Sequence, residues 1–367
     1  MSCDLLKLAT PGVAGLQPYH PGKPVEELER ELGIGDIVKL ASNENPLGTG
    51  DRAREAIKAM ADFSRYPDGN GFSLKATLAQ YHGVEPDQIT LGNGSNDILE
   101  LIARSIISPG QEVIISEHAF AVYPLVTRAI GAKPVVVPAR NWSHDLETMQ
   151  AAITEKTRLM FIANPNNPTG TWSDEVSLRH LLESMPEDVV VVVDEAYCDY
   201  VEDEEYPQCI HWLHAFQNLV VTRTFSKAHG LAGLRVGYGI SHAELADLMN
   251  RVRQPFNVNS VAQTAAEAAL HDAEHIERSV VLNRNGIQQL IEAFDQLGLD
   301  YIPSVANFIC VDMGRHAQPV YEKLLHEGVI VRPIDSYGMP DHLRVTIGLE
   351  SENERFIRAL KKVTSNK

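Results

Sequence analysis

The sequence predicts an α/β fold, with a large domain built on a mostly parallel sheet between helices and a small α+β domain beside it. Two observations carry this expectation. Short β-branched runs alternate with helical segments between residues 111 and 225, a rhythm that belongs to strands joined by crossover helices covering both faces of a sheet. Beyond them a long helical stretch gives way to short strands mixed with a single helix, so the layer changes character.

The strands of the first part are QEVIIS (111–116), KPVVVP (133–138), RLMFIA (158–163), DVVVVVDEAY (188–197) and NLVVTRTF (218–225). Helices between them are signalled by GSNDILELIARSII, which opens on polar capping residues, and by SDEVSLRHLLESM, where Ser173 and Val176 begin a capped apolar stripe. These segments set the large domain at residues 45–255. SVAQTAAEAALHDAEHIERSVVLNRNGIQQLIEAFDQLG keeps helical periodicity for most of its length and predicts one long connecting helix. NFICVDM, a helix around YEKLLHEG, VIVRPI and HLRVTIG form the small part, which takes residues 1–44 and 256–367. No internal repeat, low-complexity tract or long linker interrupts this pattern.

Composition narrows the function. With 367 residues and 44% hydrophobic content the chain can bury a large core. A formal net charge of -17 repels phosphate backbones and anionic lipid, which argues against nucleic-acid and membrane partners. Any anionic substrate must then be gathered by a few specific arginines. No apolar run reaches the length of a membrane span, and MSCDLLKLATPG has no signal-peptide core, so the cytoplasm is expected. Cys3, Cys198, Cys209 and Cys310 are widely spaced without a C-x-x-C pair, which indicates neither a disulfide framework nor a zinc knuckle. His271 and His275 are four apart, but no glutamate follows the first, so the H-E-x-x-H pattern fails and no metal is expected.

Several residues fall at strand ends, where open α/β sheets bind ligands. TFSKAHGLAGLR places Lys227 just after a buried strand, with Thr224 and Ser226 on the same turn and Arg235 eight positions on. The valine run of DVVVVVDEAY delivers Asp194 and Glu195 at its end, and a carboxylate there needs a cationic or hydrogen-bonding partner unless it only caps a turn. In ANPNNPTG two X-Pro bonds and a glycine dictate a sharp turn around Asn167, which as a turn requires no function. LGNGSNDILE brings Gly92, Gly94, Ser95 and Asn96 to a helix start where free N–H groups can hold an anion, although G-x-G-x-x-G is not met. Together, a lysine able to form an imine, an aspartate able to pair with a ring cation, an asparagine turn and a phosphate-ready helix start describe a pyridoxal 5'-phosphate site.

The order of GNGSND, NPNNPTG, DEAY, TFSKAHGLAGLRVGY and HLRVTIG resembles the fold-type-I aminotransferases. NENPLG, RYPD and GVIVRPI resemble their histidinol-phosphate aminotransferase branch, and the likeness spans nearly the whole chain. This resemblance implies a seven-stranded large-domain sheet and a homodimer with shared active sites. It makes Lys227 the imine-forming lysine and proton shuttle, Asp194 the partner of the protonated pyridine nitrogen, and Tyr197 and Asn167 the donors to the ring's phenolic oxygen. Phe120, in SEHAFAVYP, would stack on the ring where many relatives carry tyrosine. Ser95, Asn96, Thr224, Ser226 and Arg235 would hold the cofactor phosphate, and Tyr66 of RYPD would reach the phosphate of the neighbouring subunit. Arg344 would take a substrate α-carboxylate, or the phosphoester of histidinol phosphate with Arg332 as a second cation, and Tyr19 of LQPYHPG would close over the substrate.

The implied activity is ping-pong transamination of histidinol phosphate with 2-oxoglutarate, giving imidazole-acetol phosphate and glutamate, a step of histidine biosynthesis. An aromatic amino-acid aminotransferase and a threonine-phosphate decarboxylase are the enzyme alternatives. A regulator that senses a ligand through an aminotransferase-like domain would want an added DNA-binding segment, whereas family-like sequence begins almost at once.

Overall fold

A computed structural model describes residues 5–18 and 22–365. Its largest layer is a seven-stranded sheet in the order Ile89–Gly92, Gly237–Ser241, Leu219–Thr224, Val190–Asp194, Thr157–Ala163, Glu112–Ser116, Lys133–Val137. Gly237–Ser241 runs antiparallel to both neighbours, and the other four pairings are parallel. The central strands are apolar throughout because helices cover both faces, and Leu159 to Ala163 and Val190 to Val193 are all buried.

One of the seven strands carries little β-branched signal. Gly237–Ser241 reads GYGIS, and its glycines answer to packing. A Cβ on Gly237 would lie 2.4 Å from Ser95 N, and one on Gly239 would lie 2.7 Å from Ile98 Cγ2. The strand gives up side chains so that helix Ser95–Ile106 can lie close against the sheet.

Two helical expectations change. The helix in SDEVSLRHLLESM is Glu175–Glu183 and its cap is Asp174, whose carboxylate accepts the Ser177 N–H at 2.8 Å. Ser173 lies one residue before this cap, with its backbone N–H and C=O both bonded to the Asn164 side chain. Val176 is exposed, and the buried stripe is Leu178, Leu181 and Leu182. The long connecting helix divides into Ser260–Ala269 and Ala273–Leu297. Ala262, Ala265, Ala266 and Ala269 pack in the core that holds Leu91 and Val221, whereas Leu290 and Phe294 pack with Ile309 and Val345. The break comes where the chain passes from one core to the other.

A second, four-stranded sheet is antiparallel in the order Arg332–Ile334, Met339–Thr346, Phe308–Asp312, Tyr301–Ile302. Val38–Lys39 pairs in parallel with Val329–Ile330 and so ties the N-terminal segment to this part of the molecule. Ile309, Val311, Leu343 and Val345 point into the core formed with the helices Ala273–Leu297, Gln318–His326 and Glu350–Ser365. Strand alternation turns Cys310, Arg344 and Thr346 the other way, toward the carboxyl ends of the large sheet. There Cys310 Sγ meets Pro168 O at 2.8 Å. Among the described residues no helix is long and apolar enough to cross a membrane.

Candidate active site

Between the strand ends of the large sheet and the polar face of the small one lies a cleft of about 290 Å³. Lys227, Asp194, Tyr197, Ser95, Asn96, Phe120, Asn167, Thr224, Ser226, Arg235, Arg332 and Arg344 all line it. Tyr66 does not: it is exposed, with its ring stacked on Phe256 at 4.6 Å between centroids. Tyr19 lies outside the described residues.

Asp194 ends a fully buried strand and is itself only 5% exposed. Tyr123 OH donates to its Oδ2 at 2.9 Å and Thr222 Oγ1 to its Oδ1 at 3.0 Å. Burial pushes the carboxyl pKa upward, and these two bonds offset only part of that. Neither donor carries charge, so a cation entering the cleft would find its natural partner here. Glu195, one residue on, faces away from the cleft, as strand alternation demands, and is held by the Arg223 guanidinium at 2.9 and 2.7 Å.

Lys227 follows strand Leu219–Thr224 on a turn, and its Nζ donates to Ser42 O at 3.3 Å. Burial, reinforced by the nearby Arg344 charge, lowers its pKa to about 8. A sizeable neutral fraction near neutral pH makes this amine a nucleophile and a proton carrier.

At one end of the cleft the groups suit a phosphate. Gly94, at φ 82°, precedes helix Ser95–Ile106, and the N–H groups of Ser95 and Asn96 have no acceptor within their own helix. Arg235, also in the left-handed region at φ 59°, donates to Ser226 Oγ at 3.4 Å and to Ala232 O at 3.1 Å. A Cβ on Gly94 would come within 2.4 Å of Arg235 NH2, so glycine is what lets the guanidinium sit over the helix start. Thr224 Oγ1 accepts the Ser226 N–H at 3.1 Å, fixing the hydroxyl-bearing turn.

At the other end, Arg344 is 6% exposed; it donates through NH1 to Asn167 Oδ1 and through NH2 to Ala41 O at 3.0 Å. Its Nε is buried without a partner. Arg332 stands directly opposite Arg344 on the neighbouring antiparallel strand. Directly opposed residues of an antiparallel pair share one face of the sheet, so both guanidiniums serve the same end of the cleft. Tyr197 is buried between these ends, accepts from Asn43 Nδ2 at 3.0 Å, and has its pKa raised to about 12 by burial, against the opposing pull of Arg344. It therefore keeps its proton.

Sequence reasoning passed over Tyr123 and Asn43. Tyr123 stands three residues after Phe120, a separation close to one helical turn, and that spacing could have marked it as a cleft residue. Asn43 lies within NENPLG, but nothing local reveals that its partner is 154 positions away.

The aminotransferase class I and II family matches residues 35–360. Histidinol-phosphate aminotransferase 2 of Pseudomonas fluorescens is 59% identical over 366 residues, covering 99% of each chain. Histidinol-phosphate aminotransferase 1 of Nitrosococcus oceani is 57% identical over 358 residues, 97% of each. The chain belongs to the histidinol-phosphate aminotransferase family. The family architecture extends to solved structures, since the histidinol-phosphate aminotransferase of Sinorhizobium meliloti in complex with pyridoxal-5'-phosphate superimposes with a TM-score of 0.88 at 29% identity over 97% of each chain.

Proposed function

We infer that the chain transfers an amino group between histidinol phosphate and 2-oxoglutarate, with pyridoxal phosphate as its cofactor, as a step of histidine biosynthesis. The observation that carries the substrate is the cross-strand pair Arg332 and Arg344 at the end of the cleft opposite the helix-start cradle. One anion site suits the cofactor phosphate; the second suits a phosphoester on the substrate.

The residues fit the cofactor. The glycine-shaped space beside Arg235 admits a phosphate, and buried Asp194 awaits a cation such as a protonated pyridine nitrogen. When bound, pyridoxal phosphate supplies an aldehyde that condenses with amines and a ring that withdraws electrons from the carbon losing its proton. Lys227 Nζ would hold the cofactor and, as a free amine, would carry the proton that leaves the substrate carbon. Asp194 keeps the ring nitrogen protonated. Tyr197 and Asn167 donate to the phenolic oxygen, Phe120 covers a ring face, and Ser95, Asn96, Thr224, Ser226 and Arg235 bind the phosphate.

The same reading makes the chain a homodimer in which Tyr66 reaches the partner's cofactor phosphate. Exposed Phe63 and Phe72, close to Tyr66 in the chain, and exposed Phe256, stacked on its ring, support a face that a second copy covers. Free thiols at Cys198, Cys209 and Cys310 support a cytoplasmic location.

The test is steady-state turnover of histidinol phosphate against phenylalanine with 2-oxoglutarate as acceptor. The phosphoester adds charge-assisted bonds, so kcat/KM should favour histidinol phosphate by roughly 10- to 100-fold or more. Equal values, or a preference for phenylalanine, would point to an aromatic aminotransferase.

A further inference from the structure

Three consecutive residues each bond one side chain of the cleft. Ala41 O accepts from Arg344, Ser42 O from Lys227, and Asn43 Nδ2 donates to Tyr197 OH at 3.0 Å. The first two contacts use carbonyls that any residue supplies. The third needs the asparagine side chain, and the structure shows what orients it.

Asn43 is 1% exposed and sits at φ 55°, a left-handed conformation that asparagine tolerates better than most residues. Asn307 Nδ2 donates to its C=O at 3.0 Å. Its backbone N–H donates to Thr346 Oγ1 at 2.9 Å, and the same hydroxyl lies 3.0 Å from Asn43 Oδ1. Thr346 is 4% exposed, and a hydroxyl has one proton to place. Donating it to Asn43 Oδ1 satisfies both the hydroxyl proton and the amide oxygen; a flipped amide would turn an N–H toward Thr346 and take away this acceptor, at a cost in buried surroundings. The amide nitrogen is thereby directed at Tyr197. Since Tyr197 OH accepts that bond, its own single proton is free to point into the cleft.

Arg344, two residues before Thr346 on the same strand face, acts in parallel. It donates to Asn167 Oδ1 and leaves Asn167 Nδ2 as a donor. One strand thus sets the polarity of both groups that flank the ring position.

We propose that Asn43, oriented by Thr346, is a positioning residue that fixes Tyr197 as a hydrogen-bond donor to the phenolic oxygen of pyridoxal phosphate. This rests on the cofactor assignment made above. A donor at that oxygen stabilises its negative charge when the adjacent nitrogen has lost its proton, which lowers the pH midpoint of the bound cofactor's visible absorption change. Loss of the relay frees the Tyr197 hydroxyl to turn elsewhere, and the midpoint rises.

The experiment is a visible-absorption pH titration of the holoenzyme, parent and variants, with the cofactor dissociation constant measured alongside. Asn43→Ala and Thr346→Val should each raise the midpoint by about one unit, while Thr346→Ser, which keeps the hydroxyl, should titrate like the parent. In a Tyr197→Phe background, Asn43→Ala should add no further shift. Should Thr346→Val fail to fold, Asn43→Ala with and without Tyr197→Phe reads the same relay. Parent-like midpoints for Asn43→Ala, or a shift that persists in the Tyr197→Phe background, would overturn the proposal. A parent that takes up no pyridoxal phosphate would overturn the cofactor assignment as well, whereas uptake with unshifted variants would overturn the relay alone.

Discussion

The end of the cleft proposed for the cofactor offers an anion a helix start and a turn, drawn from residues 94–96 and 224–235, and one arginine lies among them. The end proposed for the substrate carries two arginines on adjacent strands of the other sheet, opposed by register. At the first, partial charges of free N–H groups share the load with a single guanidinium, so the site can stand empty at little cost. At the second, two guanidiniums on neighbouring strands supply full positive charge to the same end of the cleft. The difference is one between an anion site built largely from backbone N–H groups and one built from side-chain charge.

That contrast can be broken by substitution, and the largest effect lies between the two ends. Lys227→Ala should abolish transamination, since among the described residues lining the cleft it is the sole lysine; assay of the holoenzyme with histidinol phosphate checks this. Asp194→Asn should slow proton transfer by several orders of magnitude while cofactor stays bound, because the ring nitrogen loses its charge partner. Near-normal turnover per folded molecule would instead make Asp194 a purely structural group.

Arg332→Gln sharpens the comparison at the substrate end. It should cut kcat/KM for histidinol phosphate by about 10- to 100-fold, from roughly 1.5 to 3 kcal/mol per charge-assisted hydrogen bond, and change that for phenylalanine much less. Equal losses on both substrates would make Arg332 a general anion collector.

The smallest effect concerns stability of the cofactor-free protein. Lys227 has a folded pKa of about 8 against an ordinary 10.5, so the unfolded chain binds more protons between those values and stability rises with pH across that window. Below pH 8 the buried amine costs on the order of 3 kcal/mol. Lys227→Met should therefore be more stable than the parent at pH 7, with the difference shrinking toward pH 10.5, as measured by denaturant unfolding at both pH values.

Much of the cofactor end was legible because each group follows its own buried strand within a short motif. Asp194 ends a valine run, and Lys227, Ser226 and Thr224 share one turn. Strand Gly237–Ser241 was not legible, because its glycines answer to a helix packed across it rather than to β-propensity. Arg332 could be named only through resemblance, since its opposition to Arg344 depends on sheet register. Tyr123 and Asn43 act through partners 71 and 154 positions away, separations at which a linear pattern carries no signal. Tyr66 was named on the same resemblance, and within one chain it lies outside the cleft.

The central claim is that this cleft holds pyridoxal phosphate through Lys227. Borohydride reduction of the holoenzyme followed by peptide mapping tests it most directly. The account predicts a pyridoxyl adduct on Lys227 and on no other lysine; an adduct on a different lysine, with Lys227 unmodified, would contradict it.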